Sequence, residues 1–159
     1  MDRRWPFVLF IALLIVLHLM LRVGLGINFW APDLLTIALL LAARRAPAGW
    51  AAGLGLAFGL IRDSVNLTTF GADAIVMTIV GFLGSRSRDY FVGDSAFFLA
   101  IYLFVGKWLH DALYFVFARA IGVRDPVSTL LAEAPIAAAY SALAGIIAYS
   151  AYRAFSRER

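Results

Sequence analysis

The sequence predicts an all-α fold, a polytopic bundle of six transmembrane helices forming one domain over residues 1–159. Three observations carry that expectation. Six stretches rich in apolar residues follow one another with short connections, near residues 5–26, 31–43, 47–61, 70–84, 95–118 and 127–152. The chain is 63% hydrophobic and 15% charged, with a mean hydropathy of +0.86, more apolar side chain than a small soluble globule can enclose. The arginines also alternate. Arg3, Arg4, Arg44, Arg45, Arg86, Arg88, Arg153, Arg157 and Arg159 precede the first stretch or follow an even-numbered one, whereas only Arg62, Arg119 and Arg124 mark the odd junctions. The positive-inside rule then places both termini in the cytoplasm.

Each stretch has its own signals. The first is long enough to span and is interrupted near its outer end by His18 and Arg22. It follows Arg3 and Arg4 as a signal peptide would, but no A-x-A site lies between Ile11 and Trp30, so it reads as a retained helix. Asn28, Phe29 and Trp30 suit an interfacial turn. Pro32 and Asp33 open the second stretch, since proline is tolerated in a first helical turn and the helix dipole favours aspartate there. That stretch stops at Arg44 and Arg45, and Pro47 starts the third after a tight hairpin. The fourth is also short. The fifth and sixth are full length, with Pro135 expected to kink the sixth. The competing architecture, a β-barrel, requires alternation of polar and apolar residues, which the runs Phe7 to Leu17 and Leu34 to Ala43 do not have.

Composition narrows the chemistry. The net charge of +4 is spread by topology rather than gathered on a stripe, which argues against nucleic acid as a partner. With no cysteine there are no disulfides, thiolate metal sites or cysteine nucleophiles. His18 and His110 lie on different helices with no nucleophile at a known spacing, and neighbours such as His110 and Asp111 point about 100° apart on a helix. No catalytic residue, cofactor or metal is expected. The loop from Arg86 to Asp94 reads as a stop-transfer loop with an aromatic anchor, with anionic lipid as the alternative partner.

Two residue sets stand out. Gly49, Gly53, Gly55 and Gly59 give two G-x-x-x-G spacings on the third stretch, and Ala138/Ala142 and Ser141/Gly145 give small-x-x-x-small spacings on the sixth. Such positions let helix backbones approach closely, within the bundle or against a partner's helix, and the glycine faces admit a homodimer. The second set is ionisable. Arg22, Asp63 and Asp111 each lie about 16 residues beyond the start of an outward-running stretch, which puts all three roughly 25 Å from the inner boundary. His18 and Lys107 fall one turn below Arg22 and Asp111. Asp33, Asp73 and Glu133 begin the inward-running stretches at a similar height. A polar layer comprising His18, Arg22, Asp63, Lys107 and Asp111 is expected there, with Arg22 paired to Asp111 or Asp63. It is expected to fix helix register, or to line an outward-opening cavity or docking surface.

In the centre of the chain, Pro32-Asp33-Leu34-Leu35, Arg44-Arg45-Ala46-Pro47, Gly53-x5-Gly59-Leu60-x2-Asp63, Phe70-Gly71 and Gly81-x2-Gly84 before Arg86 follow in a set order. This pattern, strongest over residues 32–90, resembles the rod shape-determining membrane protein MreD. Arg62 stands where the family leads one to expect an apolar residue, and Leu67-Thr68-Thr69-Phe70 lacks the family's Gly-Pro turn. The resemblance implies a non-catalytic subunit of the bacterial elongation machinery in the inner membrane. Such a subunit would bind the bitopic protein MreC and work with MreB and the enzymes that build lateral peptidoglycan. It marks Pro32, Asp33, Gly59, Asp63 and Gly71 as family positions that shape the bundle and its outer surface. The alternative is a substrate-binding (S) subunit of an energy-coupling-factor transporter, which MreD-like proteins resemble in size and architecture. The outer polar layer would then line a ligand pocket.

Overall fold

The computed structural model describes residues 5–21, 32–65, 69–88, 95–120 and 129–157. Six α-helices follow in order: α1 (Trp5–Leu19), α2 (Leu34–Ala43), α3 (Ala48–Asp63), α4 (Ala72–Ser87), α5 (Ala96–Ala120) and α6 (Ala134–Arg157). Among the described residues there is no strand. Ala96–Arg119 and Leu130–Ser156 are long and apolar enough to cross a membrane, whereas Trp5–Leu19 and Leu34–Ala43 are apolar but shorter. The expected interfacial turn at Asn28, Phe29 and Trp30 lies outside the described residues.

Helix α2 is the centre of the bundle. Its sequence, LLTIALLLAA, is apolar on every side, and all ten of its residues are buried. A helix with no polar face has no side to turn to water. Accordingly α2 packs against α1, α3, α4, α5 and α6. Asp33 starts it by accepting hydrogen bonds from the Thr36 backbone N–H at 3.2 Å and the Thr36 hydroxyl at 2.9 Å, which satisfies one of the amides that a helix start leaves without a partner.

Helices α3 and α4 form the closest pair. A Cβ added to Gly55 would lie 2.1 Å from the Met77 carbonyl oxygen, one on Gly59 would lie 2.3 Å from Ala74 Cα, and one on Gly81 would lie 2.3 Å from the Ala51 carbonyl oxygen. All three obstacles are backbone, so the glycines are what allow the two helices to touch. The hairpin at the opposite end from Asp63 is tied down as well: the Ser85 hydroxyl donates to the Ala46 carbonyl at 2.7 Å. Helix α5 is stapled across both neighbours by the Tyr102 hydroxyl, which lies 2.9 Å from the Leu40 carbonyl oxygen and 3.2 Å from that of Gly84.

Pro135 is the second residue of α6 and is preceded by a π-helical turn at Thr129–Glu133. A π turn shifts the hydrogen-bond register and so tolerates a residue that has no N–H to donate. The proline expected to kink the sixth segment therefore sits beside a change of helix type.

Candidate functional site

Ionisable side chains from five helices, joined by a serine from the sixth, meet at one end of the bundle. Asp33 is their hub. Its Oδ2 accepts from Arg62 Nη1 at 2.7 Å and lies 3.2 Å from Lys107 Nζ, while His18 Nδ1 lies 3.9 Å from its Oδ1. Its backbone N–H donates to the Ser141 hydroxyl on α6 at 3.1 Å. Arg62 continues to Asp73, with Nε 3.4 Å from Oδ1, and Lys107 donates a short hydrogen bond to Asp111 one turn along α5.

His110 closes the network. Its Nε2 lies 3.2 Å from Asp73 Oδ1 and its Nδ1 lies 3.1 Å from Asp111 Oδ1, and the ring stacks parallel to Tyr114. Both ring nitrogens thus face carboxylate oxygens. A neutral imidazole donates only once, so two donated bonds require a second proton on the ring, or one on a carboxyl. Arg62 and Lys107 stand among the carboxylates of Asp33, Asp73 and Asp111. Buried charges persist when they are paired and hydrogen-bonded in this way. Asp33, Asp73 and His110 are each no more than 3% exposed, so water does little of that work.

Asp63 has a different task. Helix α4 begins after Gly71, whose φ of 93° is a left-handed conformation that suits glycine and whose lack of a side chain leaves α4 with no cap of its own. The Asp63 carboxylate, from the end of α3, accepts from the Asp73 N–H at 3.2 Å and the Ala74 N–H at 2.9 Å. Asp63→Ala is expected to destabilise the fold by about 2 kcal/mol, because two buried amides lose their acceptors, and Asp63→Asn by less, because one oxygen remains. Unfolding curves of the purified variants in detergent would measure both, and equal losses would show that the carboxylate is not acting as a cap.

The residues singled out by sequence divide into groups. His18, Lys107 and Asp111 come together around Asp33, whereas Asp63 faces the backbone of α4. Arg22, the expected partner of Asp111 or Asp63, lies outside the described residues. In the described structure Asp111 meets Lys107 and His110. The 100° separation of His110 and Asp111 does not keep them apart, since His110 Nδ1 lies 3.1 Å from Asp111 Oδ1. Of the family positions, Pro32 supplies the carbonyl that accepts the Leu34 N–H at 2.9 Å, Gly59 packs on α4 and Gly71 makes the left-handed turn. On α6, Ala138, Ser141 and Ala142 are buried, and Gly145 sits against Ile37 and Leu103. The two glycine pairs of α3 separate. Gly55 and Gly59 pack on α4, while a Cβ on Gly49 or Gly53 would meet nothing within 4 Å.

Arg62 and His110 are central to the network but are not members of the layer expected from sequence, whereas Asp33 and Asp73 are expected only at its height. Arg62 read as a departure from an apolar position. Its signal was its place beside Asp63 at a helix end, from which a long side chain can reach two carboxylates on other helices. Among the described residues, no three His, Asp or Glu side chains converge in a way that could hold a metal ion.

No curated protein and no solved structure matches the chain significantly. A family model does: rod shape-determining protein MreD matches residues 1–122, which extends well beyond the central motifs to α1 and α5. That match covers more than three quarters of the 159 residues and includes every ionisable member of the buried network. The chain belongs to the MreD family and serves in rod shape determination.

Proposed function

We propose that the chain is a multi-pass scaffold subunit of the cell-elongation machinery in the inner membrane, with both termini cytoplasmic. It would bind an MreC-like bitopic protein and, through it or directly, act with MreB and the peptidoglycan-building enzymes. The observation that carries this reading is the family match over residues 1–122. The alternating arginines support the orientation. Arg62, one of the three on the opposite side, is engaged by Asp33 and Asp73, so the asymmetry of the loops is sharper than the bare count. A scaffold also needs a rigid body, and the ion network ties all six helices to one another.

The open side of α3 is the surface we assign to the partner's transmembrane helix. Gly49, Gly53, Leu56 and Leu60 are all exposed and follow at helical spacing along one face, beside the exposed Trp50. Small residues there would let a second backbone approach, as Gly55 and Gly59 do for α4.

The test is gentle extraction of the tagged full chain from native membranes and mass spectrometry of what accompanies it. Recovery of a single-pass protein with a large extracytoplasmic domain is the expected result. Recovery of ATPases with a helical coupling subunit would replace the scaffold by a transporter subunit. Gly53→Leu is expected to lower partner recovery at least tenfold while leaving the thermal unfolding of the isolated chain unchanged. Undiminished recovery would remove α3 as the docking face.

A further inference from the structure

At the end of the bundle opposite the ion network, a small cleft opens between the C-terminus of α2, the start of α5 and the last turns of α6. It is lined by Arg44, Arg153, Ser95, Ser150, Tyr149 and apolar residues that include Leu99 and Ile146. Its space of about 50 Å³ is several times the ~10–15 Å³ that one water needs. It has room for a compact group such as a phosphate and is too small for a nucleotide.

Three independent features make it attractive to an anion. Two guanidinium groups from helices distant in sequence share one lining, and among the described residues no Asp or Glu lines it. Arg44 is steadied by the Tyr102 ring, whose centroid is 5.7 Å from its Cζ. The cleft also receives the N-terminus of α5, a 25-residue helix with no acidic residue in its first turn, where backbone N–H groups point outward. Ser95 sits at that start, with its hydroxyl 3.3 Å from the Phe97 N–H.

The floor decides what kind of anion enters. Leu99 and Ile146 form it, and beside them the surface continues through exposed Phe98, Leu143 and Ile147 on α5 and α6. A soluble anion gains nothing from that surface. An acyl chain does.

We infer that this cleft binds the phosphate of an anionic phospholipid from the adjacent leaflet, with Arg44 and Arg153 on the headgroup and the acyl chains along the outer faces of α5 and α6. The site rests on the membrane placement proposed above. It would fix the vertical position of the bundle and orient α5 and α6 at their charged end.

The test uses the full chain in nanodiscs of equal phosphatidylglycerol and phosphatidylcholine, released into native mass spectrometry. The wild type is expected to retain one phosphatidylglycerol at a preference on the order of tenfold, in line with two basic residues at an anionic surface. Arg44→Gln with Arg153→Gln should bring the two lipids to parity, and Arg86→Gln at the same end should leave the preference intact. Equal retention by the wild type would overturn the site without recourse to any variant. Persistence of the preference in the double variant, or its loss in Arg86→Gln, would also overturn it, in favour of diffuse surface charge. Displacement by millimolar inorganic phosphate would show a soluble-anion site instead. A chain that fails to enter the discs at all would overturn the membrane placement together with the cleft.

Discussion

Asp33→Ala is expected to destabilise the bundle by about 3–5 kcal/mol, the largest loss from any single side chain in the network. The reason is what the substitution leaves behind. Lys107 and Arg62 lie against Asp33 Oδ2 with side chains only 6% and 15% exposed, so neither cation recovers full hydration when the carboxylate goes. The Thr36 amide loses its acceptor as well. A double substitution separates pairing from mere bulk. Combining Asp33→Ala with Lys107→Met removes one negative and one positive group and leaves Arg62 on Asp73 and His110 between its two carboxylates. The double variant should be less damaged than the sum of the single ones by 1 kcal/mol or more, roughly the coupling that contacting charges show. Additive losses in a denaturant series would mean that Asp33 and Lys107 do not act on each other.

Gly59→Ala should also be severe, by about 3 kcal/mol, although it adds a single methyl group. The new carbon would fall 2.3 Å from Ala74 Cα and 2.5 Å from the Asp73 carbonyl oxygen. Backbone cannot swing aside as a side chain can, so α3 and α4 must part. Parting them draws Asp63 away from the amides it caps and Arg62 away from Asp73, which adds polar losses to the steric one. Gly53→Ala is the matched control. Its methyl group meets nothing within 4 Å, and alanine is the better helix former, so stability should stay level or rise by up to about 1 kcal/mol. Unfolding of the two variants in the same detergent would compare them directly. Similar behaviour would contradict the close approach of the two helices.

The contrast between those glycines shows what a single sequence can and cannot convey. The G-x-x-x-G spacing was legible, but two consecutive pairs offset by six residues face about 120° apart on a helix. Which pair meets a neighbour depends on where α4 lies, and that is not written in α3. The helices themselves were legible because apolar length, paired arginines and Pro47 are local signals. Asp33, Lys107 and Asp111 could be singled out because charge inside an apolar stretch is rare. Which side chains pair across helices could not. Arg62 to Asp33 spans 29 positions and His110 to Asp73 spans 37, distances over which residue type says nothing of contact. Arg62 is not legible as a network member because the residue expected at its position is apolar, whereas its long stem satisfies that expectation and delivers a charge beyond it. The cap that Asp63 provides was hidden for another reason: Gly71 gives α4 no side chain at its start, and a missing cap is visible only once the helix boundary is known.

The burial of α2 bears on how the protein is made. Ten residues at 1.5 Å each give a rod of about 15 Å, half the thickness of a bilayer's hydrocarbon core. In the membrane setting proposed above, such a segment, with all ten residues buried in the bundle, would gain little from contact with lipid alone and would be held by its neighbouring helices. Its enclosure is complete only when α5 and α6, which follow it in the chain, join α1, α3 and α4 around it. A chain halted before α5 is thus expected to leave one side of its central helix uncovered.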